Sequence, residues 1–281
     1  MKQLIKIVDV QFAHGVSFGT GDLQISPINF DWYRGNKNIN DVVVFTEDTF
    51  NLVDNFNEKI KIGFLIESPL MNREAYQYIK NPINYNKFDM ILTFSQDLIK
   101  VNPDKFKYYA FGGCWILDKD KGIHTKSKNI SIIASAKQHT LGHQLRHVVV
   151  DNFKDKIDGL YGGGYKFVEN KIEALKDYRY SIVIEQGNHD AMFSEKIIDC
   201  FMTGTIPIYW GCEGAIGKYF NINGILEFEK IKELPGIFEK CNEEFYINNL
   251  PAIKENFELA KQYCIPEDYM WEHYFKKILN K

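Results

Sequence analysis

The sequence lacks any long hydrophobic run. Its first ten residues, MKQLIKIVDV, hold only a short apolar segment and the acidic Asp9, so they predict neither a signal peptide nor a membrane span. No later segment reaches the length that a transmembrane helix needs. Low-complexity segments and internal repeats are absent as well. With 45 % hydrophobic and 25 % charged residues, the composition is that of a soluble globular protein.

Three further patterns are missing, and each would have suggested another class of protein. The five cysteines show no CxxC spacing, and their odd number is typical of reduced, mostly buried thiols. A net charge of -3 with both signs interspersed argues against a nucleic-acid partner. No GxGxxG motif stands at a strand-to-helix junction, which argues against a dinucleotide-dependent oxidoreductase. We expect a cytoplasmic protein.

The 281 residues are enough for two domains with separate cores. Residues 1–120 alternate short apolar runs with loops and a helical stretch, which predicts an N-terminal α/β domain with a parallel sheet. The charged stretch 121–128 predicts a linker, and the alternation resumes over 129–281 in a second, Rossmann-like domain with terminal helices. The main predicted strands are 4–10, 42–45, 60–66, 90–94, 129–135, 157–161, 180–185, 205–210 and 224–228, and the main predicted helices are 73–80, 141–153, 168–177 and 194–203.

Residues 180–211, YSIVIEQGNHDAMFSEKIIDCFMTGTIPIYWG, predict a βαβ unit around which the second domain is organised. Ser194 is a favourable helix N-cap, and Gly204 suits the position just after the last helical turn. A helix N-terminus at the carboxyl end of a parallel strand attracts anions, because its free N–H groups and its dipole both point there. Lys196 adds a cation at this end, so we expect a diphosphate to bind there.

The segment IEQGNHDAMFSEK, followed by an apolar helix and IPIYWG, resembles the donor-binding motif of the family 10 fucosyltransferases. The usual form of that motif is FEN, a polar loop, YVTEK, an apolar helix and IPIYWG, and the spacing matches without a gap. This chain has Gln186, Met192 and Ser194 where the family has Asn, Tyr and Thr. The resemblance implies a GT-B fold, in which two Rossmann-like domains face each other across a cleft, and transfer of fucose from GDP-fucose to a glycan acceptor.

The resemblance also assigns residues to the donor diphosphate. It extends to SAKQHTLGHQLRH, since family members carry a serine-containing loop after this strand and an arginine that contacts the diphosphate. It therefore implies that Arg146 and Lys196 neutralise the leaving group, and that Glu195 accepts hydrogen bonds from ribose or sugar hydroxyls. Two plainer roles remain open: a surface arginine on an amphipathic helix, and a glutamate that only complements the helix dipole.

Polar residues of the neighbouring loops complete the predicted donor pocket. Gln186, Asn188 and Asp190 are expected near the sugar, although turns favour the same residue types. His143 is expected to donate a hydrogen bond in the pocket. Tyr161, in GLYGGGY, is expected to form a rim of the pocket near the nucleobase of the donor.

Glu67, in FLIESPL, is the candidate general base. It stands at the carboxyl end of a predicted strand, and the tripeptide ESP recurs in many family members beside their proposed base. Glu47 and Glu74 are alternative candidates, and a structural cap of the strand end is the plainer role. The expected reaction is a single in-line displacement that inverts the anomeric centre, in synthesis of a bacterial-type surface polysaccharide or lipopolysaccharide.

Two patterns could hold a metal ion. Asp118 and Asp120 form a DxD sequence, whose carboxylates suit a hard cation, but the adjoining lysines are typical of a solvated linker. His139, His143 and His147 recur every four residues, without a local carboxylate or cysteine to complete a site. We therefore expect no obligatory metal.

The C-terminal stretch 270–279, MWEHYFKKIL, predicts a helix with one aromatic side and one basic side. Such a helix can contact a membrane surface, or it can pack its apolar side on the domains. The alternatives to fucosyl transfer are use of another nucleotide sugar, which Gln186 and Met192 favour, a nucleotide-binding oxidoreductase, and a non-catalytic protein that binds a nucleotide or glycan.

Overall fold

The computed structural model describes residues 2–10 and 15–279. The chain divides into two compact units, of which unit 1 is Met1–Phe111 with Ile265–Lys281, and unit 2 is Gly112–Cys264. Each unit contains one sheet whose strands all run parallel, so the predicted pair of α/β domains is present. The boundaries differ from the predicted division at 120 and 129, because unit 2 begins at Gly112 and the last stretch of the chain, Ile265–Lys281, belongs to unit 1.

Unit 1 holds a six-stranded sheet with the order β2-β1-β3-β4-β5-β6. Its strands are β1 (Gln3–Val8), β2 (Phe30–Tyr33), β3 (Val42–Thr46), β4 (Ile60–Leu65), β5 (Met90–Thr93) and β6 (Phe106–Tyr108). Its helices are α1 (Arg73–Lys80), α2 (Pro82–Tyr85), α3 (Gln96–Val101), α9 (Pro266–Met270) and α10 (Lys276–Leu279), with a 3-10 helix at Glu47–Asn55 and a π-helical turn at Trp271–Phe275.

The sheet of unit 1 is covered on both faces, as expected for parallel strands that read as continuous apolar runs. All five residues of β3 are buried. The C-terminal side chains Met270, Trp271 and Phe275 lie in the core on one face. The apolar side of this terminal stretch is therefore packed within unit 1, and a membrane contact through its basic side stays a prediction.

Unit 2 holds a five-stranded sheet with the order β11-β10-β9-β7-β8. Its strands are β7 (Lys128–Ile133), β8 (Gly159–Tyr161), β9 (Tyr178–Ile184), β10 (Ile206–Trp210) and β11 (Leu226–Glu227). Its helices are α4 (Leu141–Phe153), α5 (Glu195–Phe201), α6 (Leu234–Lys240), α7 (Glu243–Asn248) and α8 (Leu250–Ala260).

Most predicted elements are present, and two helices occupy the predicted residues, 73–80 and 141–153. The helix predicted at 168–177 is wrong, because only Lys171–Ala174 forms a single 3-10 turn before β9 begins at Tyr178. Two edge strands, β2 and β6, escaped prediction.

The five cysteines are free and buried, as their spacing predicted. In the described part of the chain, the helices are all too short or too polar to cross a membrane.

Candidate functional site

A cavity of about 230 Å³ in unit 2 lies at the carboxyl ends of β7 and β9. The chain leaves β7 through α4 towards β8 on one side, and leaves β9 through α5 towards β10 on the other. The strand order therefore reverses between β7 and β9. Doubly wound parallel sheets bind ligands outside the carboxyl ends of the strands at such a switch point. We call this space the switch-point cavity.

Helix α4 reaches the cavity because its second residue is glycine. The Gly142 N–H donates to the carbonyl oxygen of Gln186 at 3.0 Å, and a Cβ atom on Gly142 would lie 1.7 Å from the carbonyl oxygen of Glu185. Only a residue without Cβ lets the start of α4 approach the end of β9 so closely. Thr140 caps the helix by accepting a hydrogen bond from the His143 N–H at 3.2 Å.

This close approach places Arg146 against the end of β9. Its Nε and Nη2 donate to the carbonyl oxygen of Ile184 at 3.1 and 2.5 Å, and the side chain lines the cavity. Burial lowers the pKa of Arg146, whereas Glu185 and Glu195 act to raise it, and a guanidinium stays charged at neutral pH in any case. Among the described residues nothing bonds to Nη1, so Arg146 retains donors for an anion in the cavity.

The N-terminus of α5 is fixed by Glu185, whose side chain is fully buried. One carboxylate oxygen accepts from the Ser194 N–H at 3.0 Å and the other from the Ser194 hydroxyl at 2.6 Å. Ser194 is the N-cap, as predicted, and its Oγ also lies 3.1 Å from the Nζ of Lys196. The motif carboxylate therefore orders the start of α5, where the two cavity residues Glu195 and Lys196 stand.

Glu195 lies between two ammonium groups. Its Oε1 is 3.1 Å from the Nζ of Lys196 and 3.5 Å from the Nζ of Lys171. Burial raises the pKa of Glu195, but these two lysines and a hydrogen bond from Ser194 outweigh burial and lower it to about 2. The carboxylate is therefore ionised at neutral pH and can accept hydrogen bonds from hydroxyl groups.

The cavity residues that escaped sequence prediction include Trp115, Lys171 and Asp199. Asp199 is 1 % exposed, and its two oxygens accept from the Trp115 N–H at 2.6 Å and from the Lys171 Nζ at 2.7 Å. The same Nζ lies 4.1 Å from the centre of the Trp115 ring. Asp199 could have been found as a charged residue within the apolar stretch of α5, whereas nothing in the sequence points to Trp115.

His143 also lines the cavity, and its contact with a donor stays a prediction. Burial and the nearby Arg146, Lys137 and Lys196 lower the pKa of His143 to about 4, so the ring is neutral at pH 7. Its Nδ1 lies 2.9 Å from the Thr140 hydroxyl. When that hydroxyl donates to Nδ1, the ring proton sits on Nε2 and can be donated to a ligand oxygen.

The charges around the cavity favour an anionic ligand. Four cationic side chains line it against two anionic ones, and the latter are held by lysines: the cationic residues are Lys137, Arg146, Lys171 and Lys196, and the anionic ones are Glu195 and Asp199. The cavity walls are otherwise mainly apolar, which strengthens interactions between charges.

Four predicted donor residues do not line this cavity: Gln186, Asn188, Asp190 and Tyr161. The buried Oε1 of Gln186 has no hydrogen-bond partner among the described residues. Asn188 accepts from the Glu213 N–H at 2.7 Å, and the Tyr161 hydroxyl lies 2.7 Å from that of Tyr178. Their contacts with a donor stay predictions.

In unit 1, Glu67 is half-buried just after β4. The carboxylate of Glu47 accepts from the N–H groups of Ile66 and Glu67, both at 3.0 Å. Tyr76 donates its hydroxyl to the carbonyl oxygen of Glu67 at 3.2 Å. The alternatives Glu47 and Glu74 both line a cavity of about 270 Å³, with Glu47 buried and Glu74 exposed.

Of the five residues in the two candidate metal patterns, His143 lines the switch-point cavity and the other four do not. Asp118 and Asp120 lie in a single 3-10 turn, and Asp118 pairs with Lys121 at 2.7 Å. His147 lies 3.1 Å from the Tyr165 hydroxyl. Residues 2–10 and 15–279 contain no group of three or more His, Cys, Asp or Glu side chains that could hold a metal ion.

Comparison with known proteins identifies the fold. No family model matches the chain. The α-(1,3)-fucosyltransferase FucT of Helicobacter pylori is 36 % identical over 69 residues, which are 25 % of this chain and 14 % of that protein. A solved α1,3-fucosyltransferase with GDP-fucose aligns with 94 % of this chain and 90 % of its own, at a TM-score of 0.55 and 15 % identity.

A second solved structure, Anabaena Alr3699/HepE in complex with UDP and glucose, aligns with 86 % of this chain and 78 % of its own. Its TM-score is 0.61 and its sequence identity 11 %. At such low identities the likeness concerns the fold, and it confirms the predicted GT-B fold with two parallel-sheet α/β units.

Proposed function

We propose that this protein is a glycosyltransferase that moves fucose from GDP-fucose to a hydroxyl group of a glycan acceptor. One observation carries the proposal: Arg146, Glu195 and Lys196 meet at the switch-point cavity, at the N-termini of α4 and α5. Cations and free N–H groups suit a diphosphate, and an ionised carboxylate suits ribose or sugar hydroxyls. This combination is what a nucleoside diphosphate sugar requires.

In the proposed reaction, the acceptor oxygen attacks the anomeric carbon from the side opposite the diphosphate. The bond between that carbon and the diphosphate oxygen breaks, GDP leaves, and the anomeric configuration inverts. Arg146 and Lys196 stabilise the negative charge that develops on the leaving diphosphate. The acceptor proton passes to the carboxylate of Glu67, whose backbone is held by Glu47.

The donor is supported by two kinds of observation. The motif resembles that of the family 10 fucosyltransferases, and the Helicobacter pylori relative and one similar solved structure are α-1,3-fucosyltransferases. A second donor deserves a direct test, because Gln186 and Met192 depart from the motif and the HepE structure was solved with UDP and glucose. We propose a precursor of a surface polysaccharide as acceptor and the cytoplasm as the place of reaction.

Donor class is tested by calorimetric titration of the purified protein with GDP, UDP, CMP, NAD and GDP-fucose, each with and without Mn²⁺. Tighter binding of GDP and GDP-fucose without metal is the expected result. Tighter binding of UDP or CMP would show that the donor is a sugar linked to a different nucleotide. Binding of NAD alone would contradict glycosyl transfer altogether.

The assignment of Glu67 as the general base is tested by comparing Glu67→Gln, Glu47→Gln and Glu74→Gln in a transfer assay. We expect Glu67→Gln to lose at least about 100-fold in kcat and to keep GDP affinity, because it lacks the proton acceptor but leaves the donor site intact. Glu74→Gln should stay near wild type. An active Glu67→Gln variant would reject Glu67 as the base without affecting the proposed donor.

A further inference from the structure

Trp115 is the exposed aromatic residue at the switch-point cavity. It is 42 % exposed, although its neighbours Cys114 and Ile116 are each 1 % exposed. An aromatic side chain that stays open to solvent between two buried residues leaves apolar area uncovered. Such a side chain in a ligand cavity commonly serves as a contact surface.

The position of Trp115 is fixed from two sides. Its backbone N–H donates to Asp199 at 2.6 Å, and the Nζ of Lys171 lies 4.1 Å from the ring centre. Lys171 is in turn held by Asp199 at 2.7 Å. Burial lowers the pKa of Lys171, but Asp199 and Glu195 outweigh burial and raise it, so the ammonium stays charged against the ring. The indole is thus ordered before any ligand arrives.

A series of side-chain contacts runs from Lys196 to Trp115 along the cavity. Lys196 contacts Glu195, Glu195 contacts Lys171, and Lys171 contacts Trp115. In the proposed function, the diphosphate lies beside Arg146 and Lys196, and the ribose lies beside Glu195. The nucleobase follows the ribose in the donor, and Trp115 is the side chain that follows Glu195 and Lys171 in this series of contacts.

We propose that Trp115 is the stacking surface for the nucleobase of the donor, that Lys171 and Asp199 position it, and that it selects purine over pyrimidine nucleoside diphosphates. Two fused rings overlap an indole over a larger area than one ring does, so stacking favours a purine. This inference rests on the proposed function, and it names a determinant of the donor class that the sequence motif does not contain.

Fluorescence gives a direct readout, because Trp115 is one of four tryptophans and the other three are buried: Trp32, Trp210 and Trp271. We expect GDP to quench the emission of the wild-type protein and to protect it from acrylamide. The Trp115→Phe variant, which still binds GDP by stacking, should show neither change. Quenching that persists in Trp115→Phe would overturn the proposal.

Affinity gives the second readout, with GDP, ADP, UDP, CDP and inorganic pyrophosphate as probes in calorimetry. We expect the purine diphosphates to bind wild type about tenfold more tightly than the pyrimidine ones. Trp115→Ala should bring the two classes within about twofold and leave pyrophosphate affinity unchanged, whereas Trp115→Phe should keep most of the difference. Phe167→Ala, an exposed aromatic in the same unit that does not line the cavity, is the matched control and should behave as wild type.

The outcomes separate this inference from the proposed function. If nucleotides bind and Trp115→Ala leaves the purine preference unchanged, the stacking role fails and the transferase proposal stands. If Trp115→Ala weakens pyrophosphate as strongly as GDP, the residue only supports the local structure and the stacking role again fails. If folded wild-type protein binds none of the nucleotides, both proposals fail.

Discussion

The carboxylate of Glu47 holds the backbone of Glu67, the candidate base, through a hydrogen bond of 3.0 Å from the Glu67 N–H. The second carboxylate oxygen accepts from the Ile66 N–H at the same distance, so one buried side chain fixes two successive residues after β4. Burial raises the pKa of Glu47 to about 7, and the charge of Glu67 adds to this, although the hydrogen bonds from the backbone oppose it. Glu47 therefore gains its charge near neutral pH.

This raised pKa predicts a pH dependence of stability. Between the ordinary value of 4.5 and the folded value of about 7, the folded state binds more protons at Glu47 than the unfolded state does. The free energy of unfolding should therefore fall as pH rises across this window, by up to about 3 kcal/mol from this one group.

Urea denaturation of wild type and Glu47→Gln from pH 4.5 to pH 8 tests this prediction. The glutamine variant cannot titrate, so the free energy of unfolding of the variant should increase relative to that of wild type as pH rises. A difference that stays constant across the window would contradict the raised pKa of Glu47.

Arg146 should be irreplaceable by lysine. Its guanidinium bonds the Ile184 carbonyl through Nε and Nη2 and still presents Nη1, a geometry that a single ammonium cannot reproduce. We expect Arg146→Lys and Arg146→Ala to lower kcat/KM for the donor by about 100-fold or more. Steady-state kinetics measure the loss, and thermal unfolding shows whether the variants are folded. A folded Arg146→Lys enzyme with near wild-type activity would contradict the assigned role.

Lys196 should act through the position of its ammonium group at the leaving diphosphate and not through the net charge of the protein. We expect Lys196→Met to lower kcat by about 100-fold, because the charge that develops in the transition state loses its nearby cation. The exposed Lys119, in the same unit and outside the cavity, provides the matched control as Lys119→Met. If Lys119→Met lowers kcat as strongly as Lys196→Met does, the loss comes from net charge and not from the position of Lys196.

The sequence predicted the elements that local patterns determine. Ser194 caps α5 and helix α4 spans 141–153, because N-cap chemistry and apolar periodicity act within a few residues. Arg146, Glu195 and Lys196 line one cavity, since parallel strands bring their carboxyl ends to one edge, and their contacts with a donor stay predictions.

Contacts between distant residues could not be predicted in this way. The buried Glu267 accepts from Ser17 at 2.5 Å, from the Phe18 N–H and from the Trp32 indole, across about 250 residues of chain. These bonds help attach the C-terminal helices to unit 1, which no local pattern indicates. The pairing of Asp199 with Lys171 and Trp115 escaped prediction for the same reason.

Gly142 offers the sharpest test of how the fold builds the site. An alanine Cβ at this position would lie 1.7 Å from the Glu185 carbonyl oxygen and 2.9 Å from that of Gln186, so backbone has to move. We expect Gly142→Ala to lower the free energy of unfolding by about 2 kcal/mol and to weaken GDP binding, because α4 carries Arg146. Gly163→Ala is the matched control, since its Cβ meets nothing within 4 Å, and its stability should stay within about 0.5 kcal/mol of wild type. Urea denaturation and GDP titration of both variants decide the matter: if Gly142→Ala matches Gly163→Ala in both measurements, the close approach of α4 to β9 is not what places Arg146.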